Sequence, residues 1–148
     1  MSHFRISTEE DSAAIVAMMQ GYYAEDGYEF NEGRALDAIG VLVGDPSVGR
    51  LWVAVVDERV VGYLAVTLGF SLEYRGRDAF IDELFIVEPH RGRGLGREAM
   101  QVAADYCRSK GVHALHLEVE QHRAAARALY ASDGFEEHDR HLMTKLLQ

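Results

Sequence analysis

The sequence predicts a mixed α/β fold in which one mostly antiparallel sheet is flanked by helices on both faces. Three observations predict it. Apolar residues recur with a period of two in some segments and of three to four in others, so strands and helices both occur. The first half holds two β-rich runs joined by a short turn, the pattern of an antiparallel hairpin. The second half then alternates strand, helix, strand, helix, and a helix that crosses between strands makes some of the pairing parallel. At 148 residues the chain has the length of one domain, and residues 1–148 are expected to form one.

Each element has its own signal. His3 to Ile6 reads as a short strand, and Thr8-Glu9-Glu10-Asp11 as an acid-rich capped start to a helix running to about Tyr23. Ile15, Met18, Met19 and Tyr22 give that helix an apolar face. Asn31 is placed to cap a second helix through about Val43, ended by Gly44 and Asp45-Pro46. Leu51 to Val56 and Val60 to Leu68 form the hairpin around Asp57-Glu58-Arg59, and Ala79 to Val87 supplies a third strand of the central group. A helix from Leu95 to Lys110 closes at Gly111. A strand at Val112 to Val119 and a helix from about Ala124 to Ser132 follow, and Phe135 to Leu147 is expected to add one or two terminal strands.

Composition removes several classes of function. An apolar fraction of 48% with 26% charged residues is that of a globular protein. Apolar runs such as Leu51 to Val56 fall far short of the ~20 residues of a membrane span. The opening Met-Ser-His-Phe-Arg lacks the apolar centre of a signal peptide, so a cytoplasmic location is expected. The single cysteine, Cys107, excludes an internal disulfide or a multi-cysteine metal site, and its place on an apolar helical stripe predicts burial. With 24 acidic against 15 basic residues the net charge is −9, which disfavours nucleic acid and anionic membranes and favours small cationic partners.

The most informative stretch runs from Ile81 to Gly96, a buried strand leading into a loop rich in glycine and arginine that opens a helix. Glycines let the backbone approach an anion, the unpaired N–H groups of the first helical turn point at it, and the helix dipole adds favourable potential. Arg91, Arg93 and Arg97 add positive charge in an otherwise acidic chain. The Walker pattern fails for want of a lysine followed by serine or threonine, and the dinucleotide pattern fails because Arg97 stands where its third glycine belongs. What remains is Arg-x-x-Gly-x-Gly, met by Arg91, Gly94 and Gly96.

In this loop the chain resembles the GNAT superfamily of N-acetyltransferases at its coenzyme A pyrophosphate loop. Leu117-Glu118-Val119, then Ala126 to Tyr130 and Gly134-Phe135, resemble the second signature of the same family. Arg123 stands where that family often has asparagine, and Pro89 falls one residue later than usual. The resemblance implies the acyl-CoA N-acyltransferase architecture, acetyl-CoA as cofactor, and a bulged strand that splays from its parallel neighbour to admit the pantetheine arm between Ile81–Ile86 and Leu115–Val119. The cofactor-binding residues it implies are Leu84, Phe85 and Ile86 on the strand, Arg91, Gly92, Arg93, Gly94, Leu95, Gly96 and Arg97 in the loop, and Arg123 and Tyr130 downstream. It also implies that the Tyr130 phenol lies near the thioester sulfur, where it can protonate the departing thiolate. Backbone N–H groups near Ile86 are candidates to hold the carbonyl oxygen as it gains charge.

An ammonium acceptor must lose a proton before it can attack, so a base is required. Asp82 and Glu83 sit in a strand whose alternation groups Phe80, Leu84 and Ile86 on one face and Ile81 and Phe85 on the other. Burial raises a carboxyl pKa and suits it to this task. Glu83, acting directly or through water, is the favoured base and Asp82 the alternative, with a structural ion pair to an arginine as the competing reading. Tyr22, Tyr23, Glu25, Asp26 and Tyr28, beside Glu29 and with Glu73 and Tyr74 from the hairpin, are candidates to line a cationic amine site; a solvated acidic loop is the plainer reading. His113 and His116 point to opposite faces of a strand, so no metal site is expected with His122. Glu118 and Glu120 fit a solvated strand end.

The expected activity is transfer of acetyl from acetyl-CoA to a primary amine of a small cationic acceptor by direct attack. The alternatives are a non-catalytic acyl-CoA-binding regulatory module and a protein-lysine or N-terminal acetyltransferase. Homodimer formation through exposed terminal strands is a further expectation.

Overall fold

One short strand and two helices precede the hairpin-rich part of the sheet, and a further helix separates its last two strands. The computed structural model describes residues 2–147. In chain order they form β1 (Phe4–Ile6), a 3-10 turn (Glu9–Asp11), α1 (Ser12–Asp26), α2 (Glu32–Gly44), β2 (Gly49–Val56), β3 (Arg59–Ser71), β4 (Gly76–Ile86), a 3-10 turn (Glu88–His90), α3 (Leu95–Ser109), β5 (Ala114–Leu117) and α4 (Ala124–Ser132). The chain divides into two compact units, Met1–Glu118 and Val119–Gln148.

In the first unit the five strands lie in the order β1-β2-β3-β4-β5. The first three pairings are antiparallel and β4 pairs with β5 in parallel, as expected of strands joined through a helix. The β2–β3 hairpin turns on Asp57 and Glu58, both with positive φ (50° and 64°), the left-handed geometry of a two-residue hairpin turn. α1 stops at Gly27, whose φ of 74° lets the chain reverse while Tyr28 N–H donates to Tyr23 O at 2.9 Å. α2 starts as expected, with the Asn31 side chain accepting from Arg34 N–H at 3.0 Å.

Strand alternation sends the sheet's apolar residues to two helical layers. On one face Leu51, Val53, Tyr63, Ala65 and Phe85 pack with Ile15, Val16 and Met18 of α1 and with Ala35 and Ile39 of α2. Trp52 and Leu64 alternate with that set and face the other way, where the Trp52 ring meets Tyr106 of α3 edge-on at 5.0 Å. α3 buries Leu95, Ala99, Met100, Ala103 and Cys107. Cys107 is a buried free thiol, as its stripe predicts, and burial pushes it up to about 11.

The second unit holds α4 at the expected residues and a C-terminal segment without helix or strand. The terminal strands expected within Phe135–Leu147 are therefore absent among the described residues. Leu142, Met143, Leu146 and Leu147 remain exposed. The homodimer expectation, which rested on those strands, receives no support from this segment. Among the described residues no helix is long and apolar enough to cross a membrane.

Candidate active site

The site begins with one extra residue in β4. Ala65 of β3 pairs with Glu83, but its neighbour Val66 pairs with Ile81, so Asp82 is left without a partner as a β-bulge. The bulge shifts the alternation by one and corrects the grouping expected from strict periodicity. Ile81, Leu84 and Ile86 share the face of Leu64 and Val66, whereas Phe80, Glu83 and Phe85 share the face of Tyr63 and Ala65. Beside the bulge the parallel pairing stops: β5 pairs with β4 from Asp78↔Ala114 to Ile81↔Leu117 and ends, while β4 continues to Ile86. The strands part where the resemblance places a slot.

Backbone direction defines what this free edge presents. Val87 N–H donates to Val61 O at 2.9 Å across the β3 side. By alternation the amides of Ile86 and Leu84 point the opposite way, toward the gap, and that of Phe85 points to β3. Ile86 O accepts from Arg91 Nε at 2.7 Å on the gap side, which leaves Ile86 N–H oriented to the same opening. The Phe85 ring is buried, stacks on Tyr22 at 5.4 Å and carries the Arg91 guanidinium 5.2 Å from its centroid.

From this edge the chain enters the glycine loop. Gly92 and Gly94 have φ of 74° and 88°, and Gly94 is the cap residue that precedes α3. Leu95 is buried and anchors the helix, whereas Arg93 and Arg97 are exposed around its N-terminus. Gly96 lies in the first turn between them. Arg91 differs from the other two arginines. Besides Ile86 O it holds Glu25 of α1 in a bidentate ion pair at 3.2 and 3.3 Å, so it braces the loop against the end of α1. Glu98, also in the first turn, accepts from Ser2 Oγ at 2.9 Å and from the backbone and ring of His3.

Glu83 lies under α1. Tyr23 Oη donates to its Oε2 at 2.6 Å and Tyr63 Oη to its Oε1 at 2.7 Å. Burial pushes the carboxyl above its ordinary range, and neither the opposing pull of the two phenols nor the nearby Asp82 charge, which adds to the rise, reverses that direction. Asp82 is exposed by surface area, yet desolvation by the surrounding protein raises its carboxyl too. Both Glu83 oxygens are engaged by phenols, where the competing structural reading required an arginine.

The residues expected to line an acceptor site fall into two groups. Tyr22, Tyr23, Glu25, Asp26 and Tyr28 gather at the end of α1, with the Tyr28 ring edge-on to Tyr23 at 6.4 Å. Glu73 and Tyr74 sit in the β3–β4 turn, six residues of β3 away from Glu83's partner, or about 20 Å at the usual rise per residue. Tyr74 packs there with His116 at 5.0 Å, and His116 Nε2 lies 3.3 Å from Asp78 Oδ2. The structure thus separates a pair that the sequence grouped with the α1 residues. His113 Nδ1 lies 3.2 Å from Tyr74 O, and among the described residues no three His, Cys, Asp or Glu side chains gather as a metal site.

In the second unit Arg123 precedes α4 as its cap residue and Tyr130 lies on the helix. The Tyr130 ring meets Phe135 at 6.0 Å, and burial raises its phenol against the pull of Arg123. Sequence reasoning missed Tyr63. The available signal was a phenol within an aliphatic buried strand, whose hydroxyl must find a partner.

Comparison with known proteins agrees with this architecture. Residues 10–135 match the acetyltransferase (GNAT) family model. An uncharacterized N-acetyltransferase of Bacillus subtilis, YycN, is 34% identical over 66% of this chain and 62% of its own length. Streptothricin acetyltransferase of Streptomyces lavendulae is 34% identical over 62% of this chain and 47% of its own length. The chain thus spans about half to three fifths of the length of these curated relatives. An integron cassette protein from a salt-marsh metagenome superposes with a TM-score of 0.88 at 34% identity, covering 99% of this chain and 91% of that one. A protein described as a predicted acetyltransferase from Clostridium acetobutylicum, solved with acetyl-CoA, shares the fold at a TM-score of 0.83 and 17% identity, covering 99% and 97%. With most of its length matched by the family model and its glycine loop, bulge and parted strands in the corresponding order, this chain belongs to the GNAT acetyltransferase family.

Proposed function

We propose that the protein is an N-acetyltransferase that moves acetyl from acetyl-CoA to a primary amine of a small cationic acceptor by direct attack. The observation that carries this reading is Glu83, a carboxylate of raised pKa beside the bulge where β4 parts from β5. The residues present fit acetyl-CoA. Left-handed glycines at 92 and 94 lead into the N-terminus of α3, a geometry suited to a pyrophosphate, and exposed Arg93 and Arg97 add charge there. The outward amides of Leu84 and Ile86 suit the amide-bearing pantetheine arm. When bound, acetyl-CoA supplies an activated acetyl thioester.

The chain's own groups then divide the work. Glu83 takes the proton from the acceptor ammonium, and its raised pKa makes it a stronger base than a surface carboxylate. Ile86 N–H is directed at the gap and serves as a donor to the carbonyl oxygen as negative charge develops there. Tyr130 is assigned to protonate the departing thiolate. Asp82 raises the local negative potential and draws cationic acceptors. The α1 end supplies aromatic faces at Tyr22, Tyr23 and Tyr28 for the acceptor, while Glu25 has the separate task of bracing Arg91. A small-molecule acceptor and a cytoplasmic setting complete the proposal. The name of the Streptomyces relative, streptothricin acetyltransferase, supports a small-molecule acceptor.

An acceptor screen with acetyl-CoA and thiol detection tests the reading. Thiol release with cationic primary amines and not with neutral ones is expected. Tight acetyl-CoA binding without turnover of any amine would favour the regulatory module instead, and turnover only with peptides would favour the protein acetyltransferase.

A further inference from the structure

We propose that Tyr23 is a catalytic residue, a proton relay between the acceptor ammonium and Glu83 Oε2, and that Tyr63 is a positioning residue holding the other carboxylate oxygen. This rests on the reading of Glu83 as the base. The two phenols make similar hydrogen bonds, at 2.6 and 2.7 Å, but from different places. Tyr63 stands on β3, on the side of β4 away from the gap, and is 1% exposed. Its hydroxyl is buried in the core and donates to Glu83 Oε1. Tyr23 is half-buried at the end of α1, among the aromatic residues assigned to the acceptor. The Glu83 oxygen left on the accessible side is thus already occupied by Tyr23.

The proton balance is simple. As the ammonium N–H bond breaks, its proton passes to Tyr23 Oη while the Tyr23 O–H proton passes to Glu83 Oε2. The products are a neutral amine, a neutral tyrosine and a protonated Glu83. Burial, with the Glu83 carboxylate alongside, holds both phenols far above their ordinary value, so Tyr23 remains protonated at rest and passes a proton without storing one. The other titratable groups facing this cluster are Asp82 from β4 and Tyr22 from α1, both of which disfavour a phenolate further.

The test compares Tyr23→Phe and Tyr63→Phe, each of which keeps its ring, in pH–rate profiles with acetyl-CoA and the best acceptor. Each variant removes a hydrogen bond that favours the charged carboxylate, so the acid limb of kcat/KM should move up by about one pH unit in both. The plateau should survive within a few-fold in Tyr63→Phe but fall about 10²-fold in Tyr23→Phe, the lower end of a lost acid–base contribution. A solvent-isotope proton inventory should show two protons in flight in the wild type and one in Tyr23→Phe. Retained acetyl-CoA affinity and circular dichroism spectra establish that both variants are folded. Matching profiles for the two variants, or a wild-type plateau in Tyr23→Phe, would assign Tyr23 to packing and overturn the relay. If the wild type released no thiol with any amine, the acetyltransferase reading would fall and take the relay with it.

Discussion

Asp78 and Glu83 lie on the same strand and the same face, opposite Gly69 and Ala65 of β3, yet their surroundings differ. Asp78 stands where β4 is still paired on both sides, and His116 from β5 reaches it at 3.3 Å. Glu83 stands beyond the bulge, where β5 has ended, and its partners are neutral phenols under α1. Burial raises the Glu83 carboxyl even against the two phenol hydrogen bonds, which leaves it readier to accept a proton than a surface carboxylate. Sheet pairing therefore places one acidic side chain beside an imidazole and the other between two phenols.

The largest expected effect that sharpens this comparison is Glu83→Gln, which retains the shape but removes the base. Turnover should fall by about 10²–10⁴-fold. The same variant has a stability signature of fixed sign. Because the folded pKa of Glu83 is raised, its unfavourable ionisation is absent below the unfolded value of about 4.3 and grows as pH rises through the folded value. Glutamine carries no such penalty, so the melting temperature of Glu83→Gln relative to wild type should increase from pH 4 to pH 8. A constant difference across that range would mean that Glu83 is not strained by its charge.

Deletion of Asp82 attacks the difference between the two ends of β4 directly. Without the extra residue the ladder can run on unbroken, and the strand loses the local bend that parts it from β5. Acetyl-CoA affinity should fall by about tenfold or more, roughly the cost of one lost hydrogen-bonding region at the edge, with the circular dichroism spectrum retained. Calorimetric titration checks it; an unchanged affinity would show that the gap does not depend on the bulge. At the other end, Asp78→Asn should cost about 1 kcal/mol in chemical denaturation, the scale of a single side-chain hydrogen-bonding contact. Turnover should stay within about twofold, since a side chain this far along the strand contributes packing and charge only to its own surroundings.

Much of the fold was legible because its signals are local. Asn31 caps α2, α4 occupies the residues its pattern marks, and the hairpin turns at Asp57-Glu58. The glycine loop was equally legible, since residues 91–96 carry it contiguously. The bulge was not, because strict alternation at Phe80 and Ile81 gives no sign that Asp82 will be skipped by the partner strand. The Tyr23–Glu83–Tyr63 cluster joins residues 60 and 20 positions apart, a convergence that only the assembled sheet creates. Arg91 read as free anion-binding charge until Glu25, 66 positions earlier, was found to hold it.

The free edge of β4 beyond Ile81 has a consequence for handling the protein. A run of outward amides with no strand paired to it among the described residues is a template for pairing with another chain, a common route to β-aggregation. A ligand that lies along that edge and offers its own amide groups occupies the place of the missing strand. On the proposed binding of acetyl-CoA along that edge, preparations kept saturated with it during concentration should precipitate less than the ligand-free protein.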